Sequence, residues 1–348
     1  MTFPDDVDVA IVAHDNLSAL PATLTSLAAA GCPADHITIV DVASTDGTGA
    51  WLAREWPVAR VRRLERNDGP SPGRNLGITE STRRFIFLMD ADVRVKADTI
   101  SLLRAPMADD PTIKVGSPVV VHGDRPDIIQ YAGGAIHYIC EAVNPWLDRP
   151  LVERGPEPSD IGAAPTCALL LDRQAAIEVG LFDERYFIGK EDGDFTHRIK
   201  MAGYKILEPP QSLVLHNSRP RSAWLFYYQI RNRWHFILKN YQVRTIVCLV
   251  PMLLIYEPLQ FIILVAKGHG LTYLRAVGGL LAMLPALPRD RARANRIRVK
   301  ADRDLLVSAP IVVREDFVAN ALVRRGKALY ERLLTAYWNL LKRTILAR

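Results

Sequence analysis

Two carboxylates spaced i, i+2, Asp90 and Asp92, close the apolar run of residues 85–89. Large hydrophobes ending abruptly in paired acids read as a buried strand meeting solvent, the place where open α/β sheets bind ligands. Hard oxygen donors there suit Mg²⁺ or Mn²⁺, which takes one or two carboxylates together with substrate phosphates. The competing reading is a solvated turn in which Asp92 or Asp98 caps a helix near residues 99–107. A second acidic group, Glu191-Asp192-Gly193-Asp194, falls where a helix begins, and the helix dipole favours acids in a first turn. Other polar groups follow apolar runs: Ala13-His14-Asp15-Asn16, residues 41–48, residues 67–77 and His216-Asn217.

The elements that must position these groups follow from the apolar pattern. Residues 7–12, 37–40, 58–64 and 85–90 read as strands, with helices between them over about 17–30 and 49–56, and a third that the loop 69–73 opens and that runs to about 82. Strands alternating with helices of that length give βαβ units and a mostly parallel, doubly wound α/β sheet with helices on both faces. Residues 115–121 read as one further strand and 124–160 as a Gly- and Pro-rich stretch. Strand 168–171, helices 173–179 and 192–203, and short strands at 206–207 and 213–215 complete this region.

Composition narrows the class. The 348 residues are 49% hydrophobic and 24% charged, enough for a sizeable core, and the four cysteines have no metal-type spacing. Scattered cysteines favour a reduced compartment, and the first residues carry no secretory-signal pattern. The formal charge is +6, but the cations gather late, between Arg289 and Lys300 after the most apolar stretch. That placement points to a membrane flank and not to nucleic acid. Residues 246–266 are long and apolar enough to span a bilayer, interrupted by Pro251, Glu257 and Pro258. With residues 271–287 they form an apolar hairpin (about 245–287), spanning, re-entrant or lying at the interface. Residues 317–348 read as a basic amphipathic helix. The expected division is 1–222 for the catalytic domain and 223–348 for a helical, membrane-associated C-terminal region.

Taken in order, the Asp-Val-Ala-Ser-Thr-Asp-Gly-Thr turn (residues 41–48), Arg74-Asn75-Leu76-Gly77, Asp90-Ala91-Asp92 and Glu191-Asp192-Gly193-Asp194 resemble the family 2 glycosyltransferases, including membrane-associated rhamnosyltransferase-like members. The resemblance covers roughly residues 7–216. It implies a GT-A fold, Rossmann-like in its sheet, and transfer of a sugar from a nucleotide-diphosphate donor with inversion. Ala13, Asp15, Asp41, Asp46, Arg74 and Asp90 would then bind the nucleotide sugar. Asp92 and His216 would hold Mn²⁺ or Mg²⁺, and Asp192 beside Glu191 would be the base. Two departures stand out: Ala13-His14-Asp15 where the family commonly has Thr-Tyr-Asn, and Gly193 where an apolar residue is usual. The membrane flank implies a saccharide acceptor, polyprenyl-linked, met at the cytoplasmic face during cell-envelope or polysaccharide assembly, with Arg231 and Arg233 placed to meet its diphosphate. The rival readings are a sugar nucleotidyltransferase, for which no Gly-rich phosphate loop follows the first strand, and an inactive nucleotide-sugar-binding membrane scaffold.

Overall fold

The computed structural model describes residues 3–218, 222–311 and 321–346. The chain forms two compact units, Met1–Gly133 with Trp146–Pro220, and Gly134–Pro145 with Arg221–Arg348.

The first unit opens with β1 (Val7–Ala13), α1 (Leu20–Ala29), β2 (Ile37–Val42), α2 (Thr48–Glu55), β3 (Arg60–Leu64), α3 (Pro70–Glu80) and β4 (Phe85–Asp90). Strands β1 and β2 are buried along their whole length, as is β4 up to Met89. That pattern explains why they read as continuous apolar runs: both faces of a central parallel strand are covered. Strand β3 lies at the sheet edge and is partly exposed, so it carries Arg60, Arg62 and Arg63. Helix α3 lies close on β1, because a Cβ at Gly77 would come within 2.5 Å of the Ala10 Cβ.

After β5 (Val93–Val95) and α4 (Thr99–Asp109), the expected strand 115–121 is two strands, β6 (Ile113–Gly116) and β7 (Val119–His122). Pro118 lacks the N–H that a continuous ladder requires, and the two strands join different sheets. The rest of the unit comprises β8 (Ile129–Tyr131), then, past β9 (Ala135–His137) and β10 (Ala142–Val143), β11 (Ser159–Asp160), β12 (Ala168–Asp172), α5 (Arg173–Glu178), α6 (Glu191–Met201), β13 (Lys205–Glu208) and β14 (Leu213–His216). The main sheet has eight strands in the order β11-β13-β6-β12-β4-β1-β2-β3. Strands β3, β2, β1 and β4 are mutually parallel, and β12 runs antiparallel to β4 and β6. A smaller sheet, β5-β14-β7-β8, lies beyond the end of β4.

The second unit takes in β9 and β10, followed by α7 (Leu225–Asn240), α8 (Val243–Ala266), α9 (Gly270–Met283), α10 (Leu287–Arg296), α11 (Asp302–Leu305), β15 (Leu306–Val307) and α12 (Ala321–Arg343). Strands β10, β9 and β15 make a three-stranded sheet. Tyr138 sits in an aromatic stack, 4.5 Å from His137 and 4.8 Å from Trp338 of α12. Helix α8 and the segment Gly270–Arg296 are long and apolar enough to cross a membrane by length and composition. The expected basic amphipathic helix 317–348 corresponds to α12; residues 317–320 and 347–348 lie outside the described residues.

Candidate active site

Strand register gathers the polar groups. Val12 pairs with Asp90 and Ala13 with Asp41, so β1, β2 and β4 deliver Ala13, Asp41 and Asp90 to one edge. The loops after β1 and β2 brace each other: Asp15 accepts from the Thr45 N–H at 2.7 Å, and the Asp15 N–H donates to Ser44 Oγ at 3.0 Å. The Thr45 N–H holds the Asp15 carboxyl below its ordinary range. Asp15 takes a left-handed φ of +49°, which short polar side chains tolerate best after glycine. Asp46 accepts from the N–H groups of Leu17 (2.8 Å) and Thr48 (3.0 Å), tying the same two loops and the start of α2. Asp41 is buried, accepts from the Ser44 N–H at 2.9 Å and pairs with Arg63.

Arg74, buried on α3, is the hub. Its guanidinium lies 3.0 Å from Asp90, 3.3 Å from Asp192 and 3.9 Å from Glu191, and sits over the Phe182 ring. Burial pushes the Asp90 carboxyl up, and Arg74 offsets part of that push. Three carboxylates around one buried guanidinium explain why an arginine occupies this position: a buried cation persists only when paired.

Glu191 and Asp192 form the first turn of α6, where the helix dipole favours acids. The loop before it holds left-handed backbone at Phe187 (φ +56°), Gly189 (+79°) and Lys190 (+74°), conformations that cluster at functional sites. Glu191 is buried, whereas the Asp192 side chain is 36% exposed and open to an incoming molecule. Thr166 also donates its hydroxyl to Asp192 Oδ1. Nothing in the sequence singled it out. It arrives because β12 is antiparallel: Asp90 N–H bonds the Cys167 carbonyl at 2.9 Å, so the start of β12 meets the end of β4.

His216 comes from the small sheet, opposite Val93 of β5 and beside His122 of β7. Its Nδ1 lies 2.6 Å from Gln130 Oε1, and the Gln130 amide nitrogen donates to Ser218 Oγ at 2.8 Å. The Nδ1–H therefore donates to Gln130, and the Nε2 lone pair faces Asp92 Oδ1 at 3.5 Å. One ligand atom each from Asp90, Asp92 and His216 lies within 4.8 Å of the others. The imidazole is held from behind by Gln130, and the three clustered ligand atoms form a donor set that fits a divalent cation. The mixed oxygen and imidazole set suits Mn²⁺ as well as Mg²⁺. A cleft of about 300 Å³ lined by Asn16, Thr23, Asp92, Arg94 and Asn217 adjoins it.

Two expected acceptor residues, Arg231 and Arg233, belong to the second unit. Arg233 is fully buried, paired with Glu257 of α8 and 3.5 Å from Glu141. In this structure it is an internal cation. The visible signal was Glu257, a lone acid in an apolar run that needed a buried partner. Arg231 is half-buried, with its guanidinium over Tyr227 and Tyr228 at 5.3 and 5.0 Å.

A strand-end carboxylate pair completed by an imidazole, on a sheet of this order, defines a GT-A-fold protein. The sequence profile of Glycosyl transferase family 2 matches residues 8–173. The chain is 26% identical over 206 residues to the N-acetylglucosaminyl-diphospho-decaprenol L-rhamnosyltransferase of Mycobacterium tuberculosis, covering 52% of this chain and 66% of that protein. It is 28% identical over 140 residues to the succinoglycan biosynthesis protein ExoO of Rhizobium meliloti, covering 39% of this chain and 38% of that protein. The chain thus matches less than two thirds of the length of these relatives. Among solved structures it resembles GalNAc-T7 with UDP, GalNAc and Mn²⁺ (TM-score 0.54, 21% identity, 68% of this chain and 48% of the other). It also resembles TarS of S. aureus (TM-score 0.52, 15% identity, 95% and 55%). At those identities the likeness concerns the fold.

Proposed function

We propose that this chain is a metal-dependent, inverting glycosyltransferase. It moves a sugar from a nucleotide-diphosphate donor to a hydroxyl of a lipid-linked saccharide at the cytoplasmic face of a membrane. The observation that carries the reading is the pairing of two functions across Arg74: the Asp90–Asp92–His216 donor set on one side and the exposed carboxylate of Asp192 on the other. The names of the mycobacterial and rhizobial relatives support the acceptor class and the polysaccharide context. The first unit is the catalytic domain and the second the membrane-associated region.

In this reading Ala13, Asp15, Asp41 and Asp46 shape the nucleotide pocket, and Asp90 faces the ribose. Asp92 and His216 are the protein ligands of the cation, which when bound neutralises the negative charge growing on the leaving diphosphate. Asp192 takes the proton from the acceptor hydroxyl as that oxygen attacks the anomeric carbon on the face opposite the leaving group. Thr166 and Arg74 hold the carboxylate in position, and Glu191 supports the same turn. Holding both reactants in line supplies much of the acceleration of such a displacement.

The test is a transfer assay on the Asp192→Asn variant. Donors would first be chosen by thermal shift across nucleotide sugars with and without Mn²⁺, and transfer then followed to polyprenyl-diphosphate-linked N-acetylglucosamine. Donor binding should persist while transfer is lost. Turnover retained by Asp192→Asn would remove the base assignment.

A further inference from the structure

We infer that the second unit docks flat on the surface of one anionic leaflet, with α8 in the plane of the membrane and not across it. The inference deepens the membrane reading above and rests on it.

Helix α8 has two unlike faces. One is exposed and apolar over nearly the whole helix: Val247, Val250, Leu254, Leu259, Ile262 and Val265 recur every three to five residues, with Leu254 69% exposed. Helix α9 exposes Leu271, Leu274 and Leu281 in the same manner. The other face of α8 is bound to polar partners. Glu257, well inside the helix, takes Arg233 of α7 on one oxygen and the Tyr273 hydroxyl of α9 on the other at 2.7 Å. Tyr256 donates to Glu141 at 2.9 Å. Only Tyr241 and Gln242 separate α7 from α8; α7 packs closely on α9, where Gly279 lies against Tyr227, and reaches α8 through the Arg233–Glu257 pair. Helix α7 buries Asn232, Arg233, His235, Lys239 and Asn240.

This arrangement decides between crossing and lying flat. A spanning α8–α9 hairpin would carry α7, which packs on α9, with it, placing five polar or ionisable side chains at hydrocarbon depth, where such residues are costly. One apolar face backed by a polar helix is the pattern of an element that lies in the interface. The charge agrees. Arg289, Arg293 and Arg296 stand at i, i+4 and i+7 on α10, directly after the apolar hairpin, all three exposed. A cationic stripe that follows an apolar hairpin in the chain matches anionic headgroups beside acyl chains. Helix α12 adds exposed Leu329, Leu333 and Leu340 among its cations, and its Tyr337 donates to the Cys248 carbonyl of α8 at 2.6 Å.

The experiment uses the purified full chain added to preformed vesicles of phosphatidylcholine, with and without phosphatidylglycerol. Flotation should require phosphatidylglycerol. It should be lost in Leu254→Asp/Ile262→Asp, whose substitutions fall on exposed positions and leave the Mn²⁺- and donor-dependent thermal shift of the first unit intact. Neutralising Arg289, Arg293 and Arg296 to Gln should weaken binding by about a hundredfold, at roughly fivefold per cation near an anionic surface. Gly268→Cys, in the turn between α8 and α9 and in a Cys248→Ser background, should react fully with an impermeant maleimide added outside the vesicles. Protection of that cysteine until detergent is added would mean that α8 crosses the bilayer; it would overturn the flat geometry while sparing the membrane reading. Failure of the wild-type chain to float on either vesicle would overturn both. A wild-type dimer broken by Leu254→Asp/Ile262→Asp would show that a second copy covers this face, and would overturn the proposal as well.

Discussion

Replacing Thr166 with valine keeps the shape of a buried side chain and removes only its hydroxyl. In the wild-type protein Asp192 Oδ1 receives that hydroxyl and, at 3.3 Å, one Arg74 nitrogen. A hydrogen bond to a charged group contributes about 1.5–3 kcal/mol. Asp192 is 36% exposed, so water replaces part of the loss and the lower end applies, ~1.5 kcal/mol, or about tenfold in an equilibrium or a rate. Thr166 has no bond to Asp90, Asp92 or His216, so the deficit should fall on the step that needs an oriented carboxylate. In steady-state assays with saturating acceptor, kcat should drop about tenfold, with the donor KM unmoved and Tm changed little. Thr166→Ser, which restores the hydroxyl, should recover most of the rate. A kcat unchanged in Thr166→Val, or a loss that Thr166→Ser does not repair, would refute the claim that this hydroxyl orients Asp192.

Two further expectations concern the cation site and pH. Gln130→Leu removes the acceptor that fixes the His216 tautomer and should weaken Mn²⁺ binding about 10–100-fold by calorimetry; Asp92→Ala should abolish the Mn²⁺-dependent donor thermal shift, and unchanged affinity in either variant would exclude that residue's role. In the second unit, burial pushes the His137 imidazole from 6.5 down to about 4, and its Nδ1 accepts the Ile139 N–H. The folded state therefore favours the neutral ring, so the associated stability is complete above pH 6.5 and is lost as pH falls toward 4. That loss should amount to ~3 kcal/mol on acidification and be absent in His137→Gln by denaturant titration; identical acid limbs would contradict it.

The sequence made the donor side of the site more legible than the base side. Asp41, Asp90 and Asp92 each follow an apolar strand of the parallel sheet, and parallel strands align their ends, so local pattern was enough to place them together. Thr166 was invisible because it precedes a strand of opposite direction, and direction is a tertiary property. The split of residues 115–121 into β6 and β7 had a local sign, Pro118, which the apolar run around it masked. The assignment of Gly134–Pro145 to the second unit had none: its strand β9 finds its partner, β15, more than 160 residues later. Arg233 read as an interfacial cation because helix α7 is polar overall, and only the fold shows that its polar side faces inward.

The pairing of β14 with β5 has a consequence for biosynthesis. Val93 follows the aspartate pair directly, and its cross-strand neighbour His216 is made 123 residues later (216 minus 93). Closing so long a loop is entropically costly and slow relative to local contacts. The nascent chain therefore holds two carboxylates long before it holds the imidazole that completes the donor set. In the proposed reading, cation affinity then becomes a measure of finished topology: a chain released before β14 could fold its first strands and still lack the full ligand set.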